Sequence, residues 1–277
     1  MRLFVLTTFA MLAFAANSVL TRIALLDDAT DPLTFAAIRV FAGVIVLWLL
    51  VGRRGVRVQV INRATLIGAL SLTTYVLGFS LAYRTLDAGL GALVLFGGVQ
   101  ITMFAGAVIG GAAVPILRWI GAVVALSGLC VLFWPSGDAA IDLWGGIWMV
   151  AAALGWGIYS LNGRGATDPL IATAANFLFA LPVVALPMIW HAGGTSGAGV
   201  VLAVISGGIT SGLGYALWYS VMPALGATRA AVAQLSVPII AIVAGVLPLA
   251  EPVTARLAMA GLLVIVGIAI SLLPRNA

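Results

Sequence analysis

The chain has 277 residues, of which 63% are hydrophobic and 8% are charged, with 13 arginines, no lysine and one cysteine. This composition excludes a water-soluble domain. The net charge of +5 does not indicate nucleic-acid binding, because the arginines are scattered and no polar face receives a phosphate backbone. A single cysteine also excludes a disulfide within the chain.

In chain order, ten apolar runs follow one another, each near the 20 residues that a helix needs to cross a bilayer. The first run contains Asn17 and Arg22 and continues directly into further runs, so we interpret it as a retained helix and not as a signal peptide. Turn-forming residues separate the runs. The ten predicted spans cover approximately residues 3–26, 32–52, 62–84, 88–111, 115–135, 143–164, 169–191, 198–220, 224–249 and 253–273.

The two halves of the chain repeat each other. The tetrapeptide Ala-Thr-Asp-Pro at 29–32 recurs at 166–169, and Tyr83 precedes one small-residue run as Tyr219 precedes the other. Such self-similarity predicts a duplication, with a first five-helix repeat at 1–137 and a second at 138–277. Because five is odd, the second repeat enters the membrane from the opposite side, and inverted repeats of this kind bind substrate between the halves.

The arginines set the expected orientation. With the N-terminus in the cytoplasm, nine arginines lie on the inner side and three on the outer side, which matches the positive-inside bias. We therefore predict a multi-pass protein of a bacterial-type inner membrane with both termini in the cytoplasm. The inner set is Arg2, Arg53, Arg54, Arg57, Arg63, Arg118, Arg164, Arg229 and Arg275, and the outer set is Arg22, Arg84 and Arg256.

The sequence offers no recognisable catalytic constellation. The only histidine, His191, ends a span, and no cluster of histidine, cysteine and acidic residues has metal-ligand spacing. We expect no enzyme, no metal and no cofactor, although an integral-membrane enzyme or a non-transporting scaffold remains an alternative. The expected partners are a small-molecule substrate and the lipid bilayer, with no nucleic acid.

Aromatic and amide side chains near the middle of several spans are the candidate binding residues. Aromatic residues in a bundle often only pack, and buried amides often only bond neighbouring helices, so both readings stay open. Here both kinds occur on spans of both halves, which favours a shared cavity. Val264, in contrast, is expected to face lipid. The predicted substrate-binding residues are Asn17, Tyr75, Phe79, Tyr83, Gln100, Trp156, Tyr159, Tyr215, Trp218, Gln234 and Ser236.

Four further residues are predicted to be structural or gating: Arg39, Asn176, Pro238 and Glu251. Arg39 lies inside a span, where it either pairs with loop aspartates or carbonyls or binds a substrate carboxylate. No aspartate or glutamate lies deep in a predicted span, whereas proton-coupled pumps usually place a titrating group there. This pattern predicts a facilitator or exchanger.

On these residues the chain resembles the drug/metabolite transporter superfamily, EamA type. The matches are Pro32 followed by Arg39, Trp156-Gly157 followed by Arg164, and the terminal pattern Pro238…Glu251-Pro252…Gly261…Gly267. The first half departs from this pattern, with Gln100 and Ala113 where the second has Pro238 and Glu251, and Asn176 takes the place of Arg39 in the second half.

The resemblance implies ten helices, inverted repeats and export of small metabolites by alternating access. The interior, rich in aromatic and poor in acidic residues, is similar to that of YddG-type exporters of aromatic and other amino acids. The implied substrates are therefore small neutral or zwitterionic metabolites, amino acids first. A broad-specificity drug exporter is the alternative.

Overall fold

A computed structural model of the protein describes residues 1–26, 28–55, 62–111, 115–134, 142–190, 193–234 and 236–271. All regular secondary structure in these ranges is helical. The helices are α1 (Arg2–Leu25), α2 (Pro32–Arg53), α3 (Arg63–Ala82), α4 (Ala88–Ile109), α5 (Ile116–Phe133), α6 (Leu143–Gly163), α7 (Pro169–Ala185), α8 (Gly197–Ile205), α9 (Gly214–Gln234), α10 (Ser236–Leu249) and α11 (Ala255–Ser271). A 3₁₀ turn (Leu186–Ile189) follows α7, and a π-helical segment (Ser206–Leu213) joins α8 to α9.

The predicted all-α membrane fold is confirmed. Within the described residues, eight helical segments are long and apolar enough to span a bilayer, and α10 and α11 supply two shorter apolar helices. Large hydrophobic side chains cover the outside of the bundle, as a lipid-facing surface requires. Trp48, Trp134 and Trp190 are exposed near helix ends, where indoles anchor at the interface, whereas Trp156 and Trp218 are buried.

The repeated Ala-Thr-Asp-Pro motif starts a helix in each half. Asp31 caps α2 by accepting a hydrogen bond from the Thr34 amide, and Asp168 caps α7 in the same way through the amides of Leu170 and Ile171. In both cases the proline takes the first helical position, where its missing N–H is not needed. The motif therefore marks the residues at which the second and seventh spans begin.

One predicted boundary is wrong. The expected turn between the eighth and ninth spans, at 220–224, lies inside α9, which passes Pro223 and ends at Gln234. Proline removes only one backbone donor and is tolerated in membrane helices, so it is a poor marker of a helix end there. A straight helical run over 197–234 would be about 57 Å long, against a hydrocarbon core of about 30 Å. This run therefore cannot cross the membrane as one straight rod.

The helices pack as a duplicated fold predicts. Each of α2, α4 and α5 contacts its counterpart in the second half, which is α7, α10 and α11 respectively. Likewise, α3 packs on α6, just as α1 packs on the α8–α9 run. If each helix is replaced by its counterpart in the other half, the same set of helix pairs is obtained. The predicted boundary between the repeats, at 137/138, lies outside the described residues and stays a prediction.

Glycines permit the closest of these contacts. A Cβ atom on Gly121 of α5 would overlap the carbonyl oxygen of Gly267 on α11, and a Cβ on Gly267 would lie 2.6 Å from the Gly121 oxygen. Similarly, a Cβ on Gly207 would overlap the carbonyl oxygen of Arg39. The two backbones meet directly at both crossings, as in small-residue interfaces of membrane helices.

Candidate functional site

Arg39 lies at the centre of the bundle and is fully buried. Its Nε donates to Ser211 Oγ at 3.0 Å, and its Nη2 donates to the hydroxyls of Tyr215 at 2.8 Å and Tyr75 at 3.2 Å. One face of the guanidinium covers the ring of Phe79, with 4.9 Å between Cζ and the ring centroid. Helices α2, α3 and α9 and the π-helical segment thus converge on one charged group.

Of the two alternatives for Arg39, the pairing with loop aspartates or carbonyls is not found among the described residues. Its partners are three hydroxyl groups, and no ion pair joins it to a carboxylate among the described residues. Helix geometry gives the reason. Asp31 caps the same helix eight residues earlier, which places it about 12 Å away along the axis.

Asn17 is the centre of a second set of polar contacts, next to that of Arg39. Its Oδ1 accepts from Ser206 Oγ at 2.9 Å, from Ser211 Oγ at 3.3 Å and from the hydroxyl of Thr210, while its Nδ2 donates to the Thr210 carbonyl at 3.2 Å. These hydroxyls come from the π-helical segment. Such segments recur at functional sites. Ser211 contacts both Asn17 and Arg39, so the two sets form one network.

Aromatic rings run through the bundle on both sides of Arg39. We call this set of seven the aromatic column, and its members in spatial order are Tyr219, Tyr159, Trp156, Tyr215, Tyr75, Phe79 and Tyr83. Neighbouring ring centroids lie between 4.6 and 6.2 Å apart, and all seven side chains are buried. Phe14 packs edge-on against Trp156, Tyr215 and Trp218 and brings Trp218 into the same cluster.

One end of the aromatic column meets a cavity of about 340 Å³, which we call the vestibule. It opens between the starts of α3 and α7 and the end of α6, and its lining includes Asn62, Asn162, Asp168, Asn176 and Tyr219. The Tyr219 hydroxyl donates to the Tyr159 carbonyl at 3.0 Å. This ring pair therefore separates the vestibule from Trp156 and Arg39.

Charged groups close the opposite end of the bundle. We call Arg22, Asp87 and Glu251 the latch. Arg22 lies 3.5 Å from Asp87 Oδ1 and 3.6 Å from Glu251 Oε1, and it donates to the carbonyl oxygen of Tyr83 at 3.1 Å. Both Glu251 carboxylate oxygens accept from the Ala88 amide at the start of α4. Burial raises the pKa of Glu251, with the negative charge of Asp87 adding to the effect.

The remaining predicted residues take no part in the contacts described above. Both polar atoms of Gln234 and the Nε2 of Gln100 are buried without a hydrogen-bond partner in the described part of the chain. Ser236 bonds locally to the Ala233 carbonyl, and Pro238 is buried in α10. That these four contact substrate or act as gates stays a prediction.

Sequence reasoning missed several members of the site. Phe14 lies three residues before Asn17 on one helical face, a spacing that marks it as a neighbour of the polar centre. The hydroxyls of Ser206, Thr210 and Ser211 carried no signal of their own, because their direction depends on the π-helical turn. Val264 is buried and not exposed to lipid as expected, since it packs against Gly97 and Gly128.

The described residues contain no group of three histidine, cysteine or acidic side chains that could hold a metal ion. Four described aspartates begin helices as N-cap residues: Asp31, Asp87, Asp142 and Asp168. What the centre of the bundle offers is a cation, hydroxyl groups and ring faces. This combination suits the binding of a small amphipathic molecule.

Comparisons with known proteins identify a family and a shared fold. A profile of the EamA-like transporter family matches residues 143–273. The uncharacterised protein PA1977 of Pseudomonas aeruginosa is 45% identical over 276 residues, which cover 99% of this chain and 96% of that protein. A solved crystal structure at 19% identity superposes on 98% of this chain and 97% of its own with a TM-score of 0.71, which shows a shared fold.

Proposed function

The chain belongs to the EamA-like transporter family, and from that premise we propose that it exports small neutral or zwitterionic metabolites, most of all amino acids, including aromatic ones. The observation that carries the proposal is the aromatic column around a buried polar centre. Ring faces would pack on the apolar part of such a substrate, and the groups around Arg39 and Asn17 would bind its polar end.

The unequal ends of the bundle support alternating access. The vestibule is open at the end that carries Arg54 and Asp168, and the latch closes the other end. Because the arginine distribution predicts that Arg54 lies in the cytoplasm, we propose that this conformation loads substrate from the cytoplasm. Export then requires Tyr159 and Tyr219 to move apart first and the latch to open afterwards.

A broad exporter of lipophilic cations is the second candidate, because aromatic faces attract cations. Its support is weaker, since Arg39 would repel a cation and every described carboxylate lies at a helix end or in a loop. An integral-membrane enzyme or a non-transporting scaffold has no specific observation in its favour.

The proposal is tested by efflux of radiolabelled phenylalanine, tryptophan and leucine from liposomes that contain the purified protein. We expect Trp156→Ala to reduce efflux at least tenfold at equal protein content, because Trp156 contacts both Tyr75 and Tyr215. Trp156→Phe keeps a ring and should retain part of the activity. The matched control is Leu262→Ala, whose side chain is 62% exposed on the lipid-facing surface. Equal efflux by Trp156→Ala and Leu262→Ala would refute a binding role for the aromatic column.

A further inference from the structure

The guanidinium of Arg39 has donors without acceptors. An arginine carries five N–H groups, of which two are on Nη1. The Nε group and the two N–H groups of Nη2 are used by Ser211, Tyr75 and Tyr215. Nη1 is buried and has no partner among the described residues. Two N–H groups of a buried cation are therefore left over.

The neighbouring groups add further donors at the same place. Tyr215 donates its hydroxyl proton to the Tyr75 oxygen at 3.1 Å, which leaves the Tyr75 proton without an acceptor in the described residues. The indole Nε1 of Trp156, which can only donate, is also buried without a partner, and its ring lies 5.0 Å from that of Tyr75. The Arg39 Nη1, the Tyr75 hydroxyl proton and the Trp156 Nε1 are thus three donors without an acceptor among the described residues.

The charge at this place is likewise uncompensated. A buried charge normally persists only when it is paired, because removing it from water is costly. An arginine stays protonated in proteins, so Arg39 cannot escape this cost by losing its proton. No carboxylate of the described residues pairs with it, and its partners are neutral hydroxyls and aromatic ring faces. The position favours a ligand that brings one negative charge and acceptor oxygens.

We infer that Arg39 is a receptor for a carboxylate group, and that the carboxylate, not an amino group, is what the site recognises in its ligand. The Nη1 groups of Arg39 and the Tyr75 hydroxyl bind the carboxylate oxygens, and Trp156 and Tyr215 pack against the aromatic body. The described contacts of Arg39 include no carboxylate that would pair with a substrate ammonium, so an amino group gains little here. The ligand class is the aryl or aliphatic monocarboxylate, of which amino acids are one case. This inference rests on the proposed function and redefines its substrate class by the carboxylate group.

The test uses three phenylalanine-like ligands and the purified full-length protein in detergent, with quenching of tryptophan fluorescence as the readout. Phenylalanine has both groups, 3-phenylpropionate lacks the amino group, and phenethylamine lacks the carboxylate. We expect 3-phenylpropionate to bind at least as tightly as phenylalanine. Phenethylamine should bind at least tenfold more weakly than 3-phenylpropionate. Binding of phenethylamine as tight as that of 3-phenylpropionate overturns the inference.

Substitution of Arg39 gives a second, independent measurement. We expect Arg39→Gln to abolish the preference for 3-phenylpropionate without lowering the Tm, because it removes an uncompensated buried charge. The matched control is Arg53→Gln, which removes the same charge from an exposed position on the same helix and should leave binding unchanged. An Arg39→Gln protein that keeps the carboxylate preference overturns the inference. If this variant does not fold, the ligand series on the unaltered protein decides the question.

The two proposals fail in different ways. Selective binding of 3-phenylpropionate without efflux of any amino acid from liposomes supports the carboxylate receptor and refutes the export of amino acids. Efflux that phenethylamine inhibits as well as 3-phenylpropionate does supports amino acid export and refutes the carboxylate receptor.

Discussion

At the scale of single residues, the position of Arg39 inside an apolar run marked it as a candidate functional residue. Its hydrogen-bond partners could not be predicted from the sequence. A charge inside an apolar run is a functional signal by itself. Its partners Tyr75 and Ser211 lie 36 and 172 residues further along the chain, and no local spacing connects residues so far apart. The buried position of Trp156 was foreseeable, because it lies too far from a span edge to join the interfacial tryptophans.

The latch makes a prediction about pH. Burial raises the pKa of Glu251 above its ordinary value of 4.5, so the folded protein binds this proton more readily than the unfolded chain does. The contribution of the protonated group to stability is therefore complete below pH 4.5 and is lost as the pH rises through the raised pKa. The Tm of wild type minus the Tm of Glu251→Gln should accordingly decrease as the pH rises, because only the wild-type side chain loses its proton.

The measurement is a series of thermal melts of both proteins in detergent from acidic to neutral pH. Arg22 and Asp87 face Glu251 and act in opposite directions on its charge. A Tm difference that increases with pH would mean that attraction to Arg22 outweighs burial and the repulsion by Asp87. That result would contradict the predicted direction.

At the scale of helices, the sequence predicts starts better than internal irregularities. Asp31 and Asp168 reveal where α2 and α7 begin, because a carboxylate before a proline satisfies the first free amides of a helix. The π-helical segment carries no such local signal. It depends on Asn17 of another helix, whose amide oxygen accepts three hydroxyl groups from this segment. Its position is therefore set by tertiary contacts.

The crossing of α5 and α11 gives a prediction at this scale. Gly121→Ala would place a methyl group against the Gly267 carbonyl, so the two backbones must separate. Overpacking of this kind costs about 1–3 kcal/mol, and we expect a clearly lower Tm in detergent. The control is Gly165→Ala, where no atom lies within 4 Å of the added Cβ. If both variants melt at the wild-type temperature, the close α5–α11 contact is not present in solution.

At the scale of the whole molecule, the duplication was visible in the sequence because turn motifs and glycines survive divergence. The exchanged packing of α3 on α6 and of α1 on the α8–α9 run follows from that duplication. The sequence did not predict which end of the bundle is open. Opening depends on side-chain contacts such as that between Tyr159 and Tyr219. Two nearly equivalent halves leave both directions of opening available.

The orientation in the membrane is a prediction for the whole chain. In a Cys130→Ser background, Arg54→Cys and Arg84→Cys each place one thiol on an exposed side chain at opposite ends of the bundle. We expect a membrane-impermeant maleimide to label Arg84→Cys in intact spheroplasts and Arg54→Cys only after the membrane is opened. The reverse pattern would invert the proposed direction of export and place the vestibule outside.

The last prediction concerns the energy source. Coupling to protons requires a group that binds and releases a proton on the transport path. The described aspartates at 31, 87, 142 and 168 are held at helix starts, and Glu251 lies in the latch at the end of the bundle, where it contacts Arg22 and the Ala88 amide. We therefore expect efflux from liposomes to continue when the pH is equal on both sides, and a pH gradient alone not to concentrate substrate. Uphill accumulation driven by a pH gradient would contradict this expectation. If Glu251→Gln then abolished the accumulation, the latch would be the proton-binding element, because its carboxylate already pairs with Arg22 and has a raised pKa.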